Sequence, residues 1–116
     1  MRPLIPTIMR KIQKDEFDVR WAWLKGKDGD WDPATGEIRL HWHTQYALRV
    51  FIHEALHDIA PRASERWIWE RTIGVEDRIT QRQKEIILLY LKRSRRAQRR
   101  REERLRDPGP FQKVHA

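Results

Sequence analysis

The sequence predicts an α+β fold: a small antiparallel β-sheet packed against one chemistry-bearing helix and two further helices. Two alternating runs in the first 42 residues and three helix-like segments after Thr44 predict it. In residues 17–24, Phe17, Val19, Trp21 and Trp23 alternate with other residues, as a half-buried strand requires. Gly26, Gly29 and Pro33 among aspartates then make a loop, and Gly36 opens a second alternating run through Ile38, Leu40 and Trp42. The two runs are expected to pair as a hairpin. Ahead of them, residues 4–12 are read as a further strand or an irregular lead-in, because Pro3 and Pro6 argue against a helix start. Thr44 is the expected N-cap of a helix that runs to Ile59 or Ala60 and is stopped by Pro61. Ser64 caps a second, short helix with Glu65 near its positive end and Gly74 as its terminator. Thr80 and Gln83 have capping-box spacing, and Ile86, Ile87, Leu88, Leu89, Tyr90 and Leu91 form the apolar body of a last helix. Asp107-Pro108-Gly109-Pro110 is expected to end it and to begin a flexible tail.

At 116 residues the chain suits one domain with a modest core. Hydrophobic residues make up 39% and charged residues 36%, and no apolar run approaches the roughly 20 residues that span a bilayer, so the chain reads as a soluble protein. No secretory signal is visible at the start, and a cytoplasmic, intracellular site of action is expected. Cysteine is absent, which leaves imidazole and carboxylate as the strong metal ligands. Six tryptophans, Trp21, Trp23, Trp31, Trp42, Trp67 and Trp69, are expected to fill much of the core.

The net charge is +8, and residues 92–106 hold nine Lys or Arg against Glu102 and Glu103, a local net of +7. The basicity therefore reads as an appendage: residues 1–91 form the domain and residues 92–116 a basic helical extension with its tail. Lys92, Arg93, Arg95, Arg96, Arg99, Arg100, Arg101, Arg104 and Arg106 are spread around a helix, which favours attraction to DNA or RNA phosphates over insertion into lipid. Pairing such as Arg99 with Glu103 is the plainer alternative.

The chemistry concentrates in His53-Glu54-Ala55-Leu56-His57, an HExxH pattern. Residues four apart share one helix face, so His53 and His57 can present two imidazole nitrogens to one Zn²⁺. Glu54 lies about 100° further round, where a general base must stand if it is to reach water without ligating. Leu48, Phe51, Ile52, Ala55 and Ile59 project to one side of the helix, and Tyr46, Val50, His53 and His57 roughly to the other. A catalytic zinc needs a third protein ligand. Glu65, just beyond the Pro61 turn, is favoured over Glu76, which follows Gly74; Glu70 is a more remote candidate. His41 and His43 flank Trp42 and, with Tyr46, are candidates to contact substrate or an oxyanion.

A loop with Asp32 and Thr35-Gly36, a strand Ile38-Arg39-Leu40, the helix around His53-Glu54-Ala55-Leu56-His57, then Pro61 and Ser64-Glu65 resembles the compact zincin-type metallopeptidases, including SprT-like proteins and small phage-encoded relatives. The resemblance implies that His53 and His57 bind zinc, that Glu54 activates water, that the strand around Ile38 to Trp42 lies near the substrate cleft and that the activity is peptide-bond hydrolysis. The matching Ser-Glu adds to the choice of Glu65. It also implies that substrates include nucleic-acid-associated proteins, reached through the basic segment. Asp58 departs from the family pattern, where an uncharged residue is more usual, and is a candidate to orient a ligating imidazole. The rival expectation is a nucleic-acid-binding or phage accessory protein with a structural or vestigial metal site.

Overall fold

A computed structural model describes residues 3–106 and orders them as α1 (Leu4–Gln13), β1 (Asp18–Ala22), β2 (Gly29–Trp31), β3 (Glu37–His41), α2 (Ala47–Ile59), α3 (Glu65–Arg78) and α4 (Gln81–Arg106). The architecture is α+β, with four helices around a small three-stranded mixed sheet. The expected tail after Arg106 lies outside the described residues.

Residues 4–12, read as a strand or lead-in, are helical. Pro6 sits in the first turn of α1, where the backbone N–H has no intrahelical partner to lose. Leu4, Ile5, Ile8, Met9 and Ile12 recur at helical spacing and pack on the core, and that burial outweighs the prolines.

The expected antiparallel hairpin of β1 with β3 is also corrected. β1 pairs with β3 in parallel, with Val19 opposite Ile38 and Trp21 opposite Leu40. The antiparallel partner of β3 is β2, a three-residue strand inside the segment read as loop. The turn between them explains the pairing. Gly36 takes a positive φ of 78°, its N–H donates to the Asp32 carbonyl, and the Asp32 side chain accepts from Ala34 N–H. On the resulting ladder Arg39 faces Asp30 and donates to it from Nε at 2.7 Å. The guanidinium, with Lys27 beside it, holds the Asp30 carboxyl below its ordinary range against the opposing effect of burial.

Ile38 and Leu40 of β3 are fully buried and lie against α2, whose Phe51, Ile52, Ala55 and Leu56 complete the centre of the core. α2 starts at Ala47 rather than directly after Thr44, because the Thr44 hydroxyl accepts from Tyr46 N–H in a local turn. α3 is capped as expected, the Ser64 hydroxyl accepting from Trp67 N–H at 3.1 Å. Gly74 does not terminate it. The helix runs on to Arg78, since the buried face of Ile68, Thr72 and Val75 outweighs the roughly 1 kcal/mol that a mid-helix glycine costs. The capping box of α4 is formed reciprocally by Thr80 and Gln83.

Of the tryptophans, only Trp21 is buried in the core; Trp31, Trp42 and Trp67 are half-buried, and Trp23 and Trp69 are exposed. Trp21 and Trp42 lie side by side, and the Arg95 guanidinium covers both at 5.0 Å from each ring. The basic segment is thus partly built into the body. Gln98 is buried and completes the outer edge of β1: its Oε1 accepts from Trp21 N–H at 2.7 Å, and its Nε2 donates to the Trp21 carbonyl at 2.6 Å. The side-chain amide pairs with Trp21 as a fourth strand would, which also closes an edge otherwise open to association. No helix among the described residues is long and apolar enough to cross a membrane.

Replacing Gln98 by Leu leaves both backbone groups of Trp21 buried without a partner. At about 1–3 kcal/mol for each unsatisfied group, the loss is expected to exceed about 2 kcal/mol in urea unfolding. A Gln98→Leu variant as stable as wild type would show that the edge pairing contributes nothing.

Candidate metal centre

α2 places Val50, His53, Glu54 and His57 along one groove, and its apolar side lies on the sheet. The groove has a volume of about 640 Å³ and is bordered by β2 on one side and the start of α3 on the other. The strand that lines the groove is β2 at the sheet edge, and β3, the strand that the resemblance puts near the cleft, pairs directly with it. β2 comes this close because residue 29 is glycine: a Cβ there would lie 2.4 Å from Val50 Cγ1.

Three donor atoms converge. Glu65 lies in the first turn of α3, directly after the Ser64 cap, and its carboxylate reaches back to both histidines. Oε1 is 2.6 Å from His53 Nε2, and Oε2 is 2.9 Å from His57 Nε2. The imidazoles are largely buried, at 12% and 18% side-chain exposure, whereas Glu65 is 60% exposed. Two imidazole nitrogens and a carboxylate oxygen, all within 4.8 Å of one another, are a donor set that suits zinc. Bonds of 2.0–2.1 Å at tetrahedral angles separate donors by about 3.3 Å, so the exposed Glu65 carboxylate is the group that must give slightly to admit the ion. Burial pulls the His53 pKa down, against the opposing pull of the Glu65 carboxylate, and so favours the neutral imidazole that a metal requires.

Each ring is held from behind. The Thr72 hydroxyl lies 3.3 Å from His53 Nδ1, and Trp69 packs on the same ring with centroids 4.7 Å apart. Trp31 stacks on His57 at 5.9 Å with the planes 9° apart, and its Nε1–H donates to Asp58 Oδ1 at 3.1 Å. Asp58 acts on His57 through this indole.

Glu54 is 7% exposed and borders the groove. Burial, then the negative charges of Glu65 and Asp30, pushes its carboxyl up to about 7. A cation at Glu65 would cancel the second of these causes and return Glu54 toward the ionised form.

The other expected site residues fall elsewhere. Glu76 accepts from Arg49 Nε at 2.7 Å, and Glu70 from Arg66 Nε at 3.3 Å, so neither joins the histidines. The candidate contacts His41 and His43 are not on the groove: His41 Nδ1 accepts from His43 N–H, and its ring lies beside Trp23. Tyr46 does line the groove. Thr72, Trp31, Trp69 and β2 were not singled out from the sequence. Thr72 carries a faint signal there, since it falls four residues after Ile68 on the apolar side of α3.

The assignment of the third ligand is testable by elemental analysis of untagged protein reconstituted with zinc. Glu65→Ala is expected to lose most bound zinc, and Glu76→Ala to retain about as much as wild type. The reverse result would transfer the role to Glu76. No known family model, curated protein or solved structure matches the chain.

Proposed function

We propose that the chain is a zinc-dependent metallopeptidase of the zincin type, with His53, His57 and Glu65 as metal ligands and Glu54 as general base. The observation that carries the reading is the convergence of the two imidazoles and the carboxylate at a groove that Glu54 also borders. Zinc bound there supplies a Lewis acid for the scissile carbonyl and water acidified toward neutrality. The Glu54 carboxylate takes the proton of the attacking water and returns it to the leaving amine. No covalent intermediate on the protein is needed. Trp69 and Tyr46, both exposed, line the groove where a substrate would meet it.

The arginines of α4 extend the proposal to nucleic-acid-associated proteins as substrates. Lys92, Arg93, Arg96, Arg99, Arg100, Arg101, Arg104 and Arg106 are exposed, and none forms an ion pair among the described residues. Arg95 is the exception to the set, its guanidinium lying over two neighbouring indoles, and Arg99 also approaches Trp42 at 6.0 Å. Exposed cations spread along α4 favour a polyanion. The same feature supports the second reading, a nucleic-acid-binding module with a structural metal.

Glu54→Gln separates the two. Loss of general-base catalysis is expected to lower hydrolysis of an unfolded or basic protein substrate by about 10²–10⁴-fold with zinc content unchanged. A variant as active as wild type would remove Glu54 as the base, and a zinc-loaded wild type that hydrolyses no such substrate would remove the peptidase reading. For the tether, triple charge reversal at the exposed Arg96, Arg100 and Arg104 in the full chain is expected to abolish DNA binding at low salt and leave thermal stability unchanged. Undiminished DNA binding by that variant would show that α4 is not the contact.

A further inference from the structure

We propose that Thr72 is a positioning residue for the metal centre, its buried hydroxyl holding His53 in the tautomer that leaves Nε2 free to ligate. The inference rests on the metal-site reading above and adds a residue that the HExxH pattern does not contain.

Thr72 is completely buried on α3, nineteen positions along the chain from His53. Its hydroxyl has one hydrogen and two lone pairs. It lies 2.8 Å from the Ile68 carbonyl and 3.3 Å from His53 Nδ1. A carbonyl can only accept, so the shorter of the two bonds takes the hydroxyl hydrogen. What the hydroxyl then offers to His53 is a lone pair, and Nδ1 can answer it only as an N–H donor. A neutral imidazole with its hydrogen on Nδ1 carries its lone pair on Nε2. That is the nitrogen that faces Glu65 and belongs to the three-atom donor set. The branched Thr72 side chain has little rotational freedom on a helix, and its bond to Ile68 reduces it further. One helix therefore delivers both the carboxylate ligand, from its first turn, and the acceptor behind His53, two turns later. The hydroxyl thus supports the ring orientation, and the tautomer that ligation needs once an ion takes the place of the hydrogen between Nε2 and Glu65.

The test uses Thr72→Val, which keeps the side-chain shape and removes the hydroxyl, and Thr72→Ser, which keeps the hydroxyl. Zinc affinity is read by competition with a chromogenic chelator, folding by thermal melting in excess chelator, and the tautomer by imidazole ¹H–¹⁵N spectra of zinc-loaded protein. Thr72→Val is expected to weaken zinc binding by about 10–100-fold, the usual cost of losing a partner behind a ligating histidine, whereas Thr72→Ser recovers most of the affinity. The zinc-loaded wild type is expected to show a protected Nδ1–H on His53. If Thr72→Val binds zinc as wild type does, or Thr72→Ser loses as much as Thr72→Val, the positioning role is overturned while the metal centre stands. Should Thr72→Val fail to fold, the serine variant and the wild-type Nδ1–H signal decide, and absence of that proton overturns the proposal. A wild type that takes up no zinc overturns the metal-centre reading itself, and this role with it.

Discussion

The short link between α2 and α3 is the constraint on which the candidate site depends. α2 ends at Ile59, α3 begins at Glu65, and the Ser64 hydroxyl closes the first turn of α3 through Trp67 N–H. An N-cap fixes where a helix starts and in which direction its first side chains leave the axis. Here it turns the residue after the cap back toward the last two turns of the preceding helix. Glu65 then meets two rings that α2 already places on one face, and both carboxylate oxygens are engaged. A cap shifted by one residue would rotate Glu65 about 100° away from the histidines. The three-atom cluster thus follows from one local hydrogen bond and the packing of two helices.

The remaining site contacts come from sequence positions that no local pattern connects. His53, Glu54 and His57 were legible because their relation is set inside a single helix, and the Ser64 cap and the Thr80–Gln83 box were legible for the same reason. Glu65 over Glu76 was a choice between spacings until Arg49 was found to occupy Glu76. β2 was hidden because three residues with one glycine carry no periodicity, and its role comes from Gly29 lying against Val50. The parallel pairing of β1 with β3 was hidden because alternation reports which side chains face the core and not the direction of the neighbouring strand. α1 was misread by weighting Pro6 above the recurrence of Leu4, Ile5, Ile8, Met9 and Ile12, although a first-turn proline costs a helix little. Size alone places tryptophans in the core, yet indoles with a polar edge also suit groove walls and contacts with guanidinium groups.

Charge and fold are less separable in α4 than the count of arginines suggests. The groove borders β2, α4 packs along β1, and β3 lies between them, so the two features occupy opposite edges of one sheet. A polyanion along the outer face of α4 would leave the groove accessible. The same helix supplies Gln98 to the backbone of Trp21 and Arg95 to the adjoining rings of Trp21 and Trp42, both beyond the point where the positive charge begins. Deleting residues 92–116 would therefore remove structure together with charge, and only substitutions on the exposed side address the charge by itself.

Asp58 shows how an unusual residue beside a site can act without touching it. Directly after the second histidine, a carboxylate could bond an imidazole or compete for the metal, yet it does neither among its described contacts. Its Oδ1 accepts from Trp31 Nε1–H, and Lys11 of α1 approaches Oδ2 at 3.9 Å. The indole so held lies nearly parallel to the His57 ring and forms part of the groove wall. Stacking restrains rotation of the imidazole about its Cβ–Cγ bond, the motion that would carry Nε2 out of the cluster. His53 is restrained differently, by the Thr72 hydroxyl behind it and Trp69 beside it. The two imidazole rings are thus fixed by separate devices drawn from β2 and α3, so loss of one leaves the other in place. A strand too short to be read from the sequence has this as its clearest consequence: it brings Trp31, and through it Asp58, to bear on His57.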